Sequence, residues 1–166
     1  MDALDLIHRY EADHQLKAFV RESNRIEGIH REPSDAEIKL HKTLIVRKRV
    51  KVEHVTALVA VCQPNAVLRA TADVPGVRVG NHIAPPSGPD IVTEFASLLA
   101  QMAAKKLTPW RAHVLVEMLH PFTDGNGRSG RALWLWHMTL TGRQRQALAL
   151  GPLHCMYYQA LEASQK

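Results

Sequence analysis

The chemistry of this chain is concentrated in one loop, His120-Pro-Phe-Thr-Asp-Gly-Asn-Gly-Arg-Ser-Gly-Arg131. Gly125 and Gly127 frame Asn126 where a helix begins, and uncapped N–H groups with the helix dipole favour an anion there. Glycine also lets the backbone approach a phosphate closely and adopt positive φ. Arg128 and Arg131 are three residues apart, so both project from one face of the first turn. Planar guanidinium groups grip phosphate oxygens in pairs. Asp124 offers a hard oxygen ligand of the kind Mg²⁺ uses alongside substrate phosphates. His120 can take a proton near neutral pH. Singly, each has an ordinary explanation: a structural histidine before proline, a turn, solvated arginines. Their compression between two apolar helices assembles cradle, clamp, metal ligand and base, the parts of a phosphate-transfer site.

The elements that must position this loop follow from periodicity. Leu16, Phe19, Val20, Ser23 and Ile26 recur at helical spacing, predicting an amphipathic helix over Glu11 to Glu27 with Gly28 as its C-terminal cap. Ser34 is placed to cap a second helix, and Ala36 to about Cys62 reads as two helices broken within the basic cluster. Prolines and glycines then crowd residues 63–89. Pro75-Gly76 favours a tight turn and the alternation of Val77 and Val79 predicts a short strand, so a small hairpin is expected. Such a hairpin could hold an extended peptide by strand addition, or be only a connecting loop. Helices are expected again from Pro89 through Met102, from Thr108-Pro109 to His120-Pro121, and from Asn126 to Leu140 with Gly142 ending the last. A final short helix is expected over Leu153 to Ala163. The fold class is therefore all-α with one small β-hairpin.

Composition narrows the function. The chain has 166 residues, 46% of them apolar, which suits one domain with a real core. The longest apolar run, Val55 to Cys62, is far too short for a membrane span, and Met1–Tyr10 lacks the apolar stretch of a signal peptide. Cys62 and Cys155 show no metal or redox spacing, so free thiols and a reducing cytoplasm are expected. The net charge of +5 raises the question of nucleic acid. Its densest cluster, Arg47, Lys48, Arg49 and Lys51, is short and has no interleaved aromatics, which favours a solvated face.

The loop resembles the Fic signature, His-x-Phe-x-(Asp/Glu)-Gly-Asn-Gly-Arg-x-x-Arg, at every specified position. Val77 to Pro86 also looks like that family's flap hairpin. The resemblance implies a single Fic domain over 1–166, with an inhibitory helix at 11–28, a flap at 70–83 and a helix–loop–helix core at 108–140. It implies a protein adenylyltransferase that moves AMP from ATP to a Ser, Thr or Tyr hydroxyl of a target protein. His120 would then be the general base and Asp124 would hold Mg²⁺. Gly125, Asn126 and Gly127 would form the anion nest, Arg128 would bind the β-phosphate and Arg131 the γ-phosphate. Val77, Arg78 and Val79 would dock the target segment. The Doc branch has lysine where this chain has Gly127, which favours AMP transfer here, although some relatives use other phosphate donors.

Ser23-Asn-Arg-Ile-Glu-Gly28 resembles the family's inhibitory motif, (Ser/Thr)-x-x-x-Glu-(Gly/Asn). Ser23 and Glu27 share a helix face, and Glu27 sits where the helix dipole disfavours negative charge. The resemblance implies that Glu27 pairs with Arg131 and occupies the γ-phosphate pocket. In some relatives the same glutamate helps remove AMP, so brake and eraser both stand as readings. Homo-oligomers occur in the family through varied surfaces, and the sequence specifies none.

Overall fold

The structure is a computed structural model that describes residues 3–79 and 81–150. In chain order its helices are α1 (Ala3–Ile26), α2 (Asp35–Ile45), α3 (Val52–Cys62), α4 (Pro89–Ala103), α5 (Pro109–Leu119), α6 (Asn126–Leu140) and α7 (Gln144–Leu150), with the hairpin strands β1 (Arg78–Val79) and β2 (His82–Ile83) between α3 and α4. The all-α class with one small hairpin is the observed architecture. The expected final helix over Leu153 to Ala163 and the thiol of Cys155 lie outside the described residues. Among those residues, no helix is long and apolar enough to cross a membrane.

Local chemistry sets the helix boundaries. Ser34 and Glu37 form a reciprocal capping box that starts α2. Thr108 caps α5 with Pro109 in its first turn. At the end of α1, Gly28 has φ of +73°. Its N–H donates to the Arg25 carbonyl, and the Ile29 N–H donates to that of Asn24. This is a Schellman closure, and it leaves Glu27 as the last residue before the chain turns. Gly142, with φ of +78°, ends α6 in the same way.

Two expectations are revised. The first helix begins at Ala3, two turns before Glu11. The strands pair Arg78 with Ile83 and Val79 with His82, so the reversal lies between Val79 and His82, and the tight turn expected at Pro75-Gly76 is not part of it. Val77 therefore precedes β1, although its carbonyl still accepts the Ala84 N–H at 3.1 Å.

Helix α6 packs against each of the other six helices and forms the axis of the domain. Leu133, Leu135 and Trp136 on it are fully buried, and the Trp136 indole donates to the Arg47 carbonyl at 2.9 Å. The expected face of α1, namely Leu16, Phe19, Val20, Ser23 and Ile26, is buried as a set. Phe19 stacks on Trp134 of α6 with ring centres 6.2 Å apart. Glu37 holds α1 to α2: it is fully buried and accepts from Asn24 of α1, Arg31 and Ser34. Burial pushes its carboxyl up, but Arg31, Ser34 and Asn24 outweigh that and hold it down to about 2. Cys62 is a free, buried thiol, pushed up to about 11 by burial.

Four buried histidines, His41, His113, His120 and His137, have lowered pKa values because burial disfavours their charged form, with His113 brought to about 4. A histidine with a depressed folded pKa takes up its proton more readily when unfolded, so stability falls once pH drops below about 6.5. For His113 alone the loss is roughly 3 kcal/mol by pH 4. Urea unfolding across pH 4.5–7.5 should therefore give a free energy that declines steadily towards acid. A flat profile would contradict neutral imidazoles in the core.

Candidate active site

The loop between α5 and α6 is locked by Asn126. Its Nδ2 donates to the Phe122 carbonyl at 2.7 Å, and its Oδ1 accepts the Phe122 N–H at 2.9 Å. One buried amide thus satisfies both backbone groups of Phe122, whose ring is fully buried and meets Phe95 edge-on. The segment before the hairpin braces the other side. Leu68 bridges to Phe122, Thr123 N–H donates to the Val67 carbonyl, and Arg69 N–H donates to that of Pro121.

Gly125 begins α6 in the left-handed region, with φ of +74° and no side-chain cap, so the first N–H groups of the helix are left as an anion cradle. The tip of α1 comes to this cradle. Arg131 is buried and donates from Nε to Ser23 Oγ at 2.8 Å, and from Nη2 to the Ser23 carbonyl at 2.9 Å and to Glu27 Oε1 at 2.6 Å. The same Glu27 oxygen lies where a Cβ on Gly127 would stand, with Arg131 Nη1 3.0 Å from that point. Glu27 therefore rests between the guanidinium and the Gly127 backbone, and any side chain at position 127 would displace it.

His120 ends α5 in the left-handed conformation, with φ of 46° and ψ of 65°. For a non-glycine residue this is a strained position, held here by its surroundings. The Nδ1 atom faces the Glu117 carbonyl. A carbonyl only accepts, so Nδ1 carries the proton and Nε2 carries the lone pair. Burial lowers the His120 pKa, and nearby His82 and Arg69 lower it further, against the Glu117 carbonyl and Glu27, which raise it. The ring is thereby kept neutral.

Asp124 is exposed. Its Oδ1 accepts the Gly125 N–H at 2.6 Å and its Oδ2 accepts Gln63 Nε2 at 2.5 Å. Among the described residues no group of three His, Cys, Asp or Glu side chains converges on a metal position. An exposed lone carboxylate beside an anion cradle matches the habit of Mg²⁺, which takes one or two carboxylates and completes its shell with phosphates and water. Asp124 is the residue that would hold it.

Arg128, the residue expected at the β-phosphate, lies beside the end of α3. It is buried, and its Nη1 donates to the Cys62 carbonyl at 2.5 Å and its Nη2 to Gln63 Oε1 at 2.8 Å. The last carbonyls of a helix lack partners within it, and Arg128 satisfies one at the end of α3.

The hairpin approaches His120 through His82, whose Nε2 meets the Met118 carbonyl at 2.7 Å and whose ring centre is 6.3 Å from that of His120. Arg78 is exposed on β1, and Val77 and Val79 lie on the same segment. Among the described residues the sheet has two strands, paired Arg78 with Ile83 and Val79 with His82.

Two contributors carried no signal in the sequence. Arg69 is completely buried and donates to the Leu119, His120 and Pro85 carbonyls and to Ser87 Oγ, tying the α5 end to the hairpin base. Gln63 connects Asp124 with Arg128. Both lie in a segment rich in turn formers, and their partners are far away in the chain.

Residues 34–138 match the Fic/DOC family. The chain belongs to it. The matched span carries α2 to the last turn of α6 and so contains the whole loop, whereas Ser23 and Glu27 precede it. No curated protein matches the chain. Membership in the Fic/DOC family supports transferase activity on a Fic fold.

Replacing Asn126 with alanine should leave a buried N–H and C=O of Phe122 unpaired, at a cost of about 1–3 kcal/mol for each group left unsatisfied. Thermal unfolding should register a clear loss of stability, and a variant as stable as the parent would show that Asn126 does not lock the loop.

Proposed function

We propose that this Fic/DOC protein transfers AMP from ATP to a hydroxyl side chain of a target protein and that Glu27 restrains the reaction. The observation that carries the reading is the placing of the Glu27 carboxylate on Arg131 and against Gly127, an anion already seated in the cradle. A cradle that holds a carboxylate is suited to hold a phosphate, and the two would compete for one guanidinium.

In this reading the target hydroxyl lies beside His120 with its oxygen in line with the α-phosphorus. A new O–P bond forms as the bond from phosphorus to the bridging oxygen breaks, and pyrophosphate leaves with that electron pair. The hydroxyl proton passes to Nε2 of His120. Mg²⁺, when bound at Asp124, would neutralise charge on the phosphates. The N–H groups around Gly125, Asn126 and Gly127 orient them, and Arg131 takes the γ-phosphate once Glu27 withdraws. The hairpin from Val77 to Val79 holds the target segment against the site. Positioning and electrostatics supply most of such catalysis. Gly127 supports AMP transfer over phosphoryl transfer, because the branch of the family that transfers a phosphoryl group has lysine at this position.

Incubation with Mg²⁺ and α-labelled ATP tests this directly. Label on protein should be weak for the native chain, at least tenfold stronger for Glu27→Gly, and absent when His120→Ala is added. Equal labelling of the first two forms would remove the restraint, and label from γ-labelled ATP alone would remove AMP transfer. Because burial lowers the His120 pKa, the imidazole stays neutral further into acid than an ordinary histidine, and the Glu27→Gly rate should hold through neutral pH and fall only on acidification.

A further inference from the structure

Arg69 is a fully buried cation that meets no carboxylate among the described residues. Burial alone acts on its pKa, pulling it down. A buried charge without a counter-ion is costly, and an apolar side chain would fill the same space at less cost. The cation is placed for its donors, and these fall on one feature. Leu119, His120 and Pro121 offer consecutive carbonyls around the residue that bears the imidazole, and Arg69 takes all of them. Its Nη1 donates to Leu119 at 3.2 Å and to His120 at 2.7 Å, and its backbone N–H donates to Pro121 at 2.9 Å. The carbonyls just before them belong to the same arrangement: Glu117 accepts Nδ1–H of His120, and Met118 accepts Nε2–H of His82 on β2. The rest of the guanidinium faces the return leg of the hairpin. Nη2 donates to the Pro85 carbonyl and Nε to Ser87 Oγ at 3.1 Å, while the Arg69 carbonyl accepts the Gly88 N–H at 3.1 Å.

We propose that Arg69 is a positioning residue for His120, fixing the backbone from which the imidazole projects and holding it at one spacing from the hairpin. The inference rests on the reading of His120 as the base. His120 sits in the left-handed region, where a non-glycine residue persists only if its surroundings over-determine it. From that backbone Nδ1 meets the Glu117 carbonyl and Nε2 keeps the lone pair. The guanidinium also stands at the negative end of the α5 dipole. Burial is the main cause of the lowered His120 pKa, and the charges of His82 and Arg69 add to it.

The test follows label from α-labelled ATP in the Glu27→Gly background. Arg69→Lys keeps the positive charge but offers one donor nitrogen in place of a planar fork. It cannot reach the end of α5 and Pro85 together, so His120 should lose its fixed place. A misplacement of about 1 Å can cost about 100-fold in rate. The kcat of Arg69→Lys should therefore fall about tenfold or more. The KM for ATP should not change, because the contacts of Arg69 lie away from Arg131 and the cradle. The ring gives a second readout that needs no turnover. In ¹⁵N spectra of histidine-labelled protein, assigned with His120→Ala, His120 should be the Nδ1–H form in the parent and shift towards Nε2–H in Arg69→Lys. An unchanged kcat, a kcat lost in step with ATP affinity, or a His120 ring that keeps its tautomer overturns the proposal. Should Arg69→Lys not fold, Ser87→Ala decides alone, since it removes only the acceptor of Nε at a partly exposed site. A kcat or a tautomer equal to the parent's then overturns it. A Glu27→Gly parent that takes no label would remove the AMP-transfer reading instead, and the tautomer would still decide the role of Arg69.

Discussion

A buried guanidinium must be answered by acceptors, and Arg131 imposes that demand on the axis of the domain. The tip of α1 supplies Ser23 Oγ, the Ser23 carbonyl and Glu27, so the docking of α1 and the satisfaction of Arg131 are one condition. Removing one partner of such a pair costs far more than the pair contributes, because the remaining charge stays out of water. Only another anion can take the place of Glu27 at little cost. The smallness of position 127 follows from the same demand, since the carboxylate reaches the guanidinium across the bare Gly127 backbone.

Rigidity around the loop is built from polar groups more than from apolar packing. Asn126 closes the loop on itself, and Arg69 gathers the end of α5 and the base of the hairpin onto one cation. His120 is left in a backbone conformation that few residues adopt freely, and the Arg69 contact to its carbonyl helps keep it there. Fixing the imidazole at Nδ1 leaves the lone pair on its outer nitrogen.

What could be read from sequence was local. Ser34 with Glu37, Thr108 with Pro109, and Gly28 and Gly142 each act within a few residues, and each lies where local rules place it. The buried face of α1 was legible because helical spacing exposes it. The loop residues were legible as a group because they are contiguous, and residues 34–138 carry the family match that includes them. Gln63 and Arg69 were not legible, since their partners lie some fifty to sixty positions away and nothing in their surroundings announces a buried cation or a bridging amide. The contact of Arg128 with the end of α3 was not legible for the same reason: its partner carbonyl is that of Cys62, far away in the chain. The tight turn expected at Pro75-Gly76 rested on a local signal, whereas the strand pairing lies within the Val77 to Pro86 segment that resembles the flap.

The stacking of Phe19 on Trp134 gives the molecule an optical property of its own. Trp134 lies on α6 and is half-buried beneath α1, while Trp136 is sealed in the core and Trp110 is partly exposed on α5. Among the described residues, the stacking on an aromatic ring of α1 is that of Trp134. Its emission is therefore an intrinsic gauge of whether the first helix is seated, carried by the native sequence without any label.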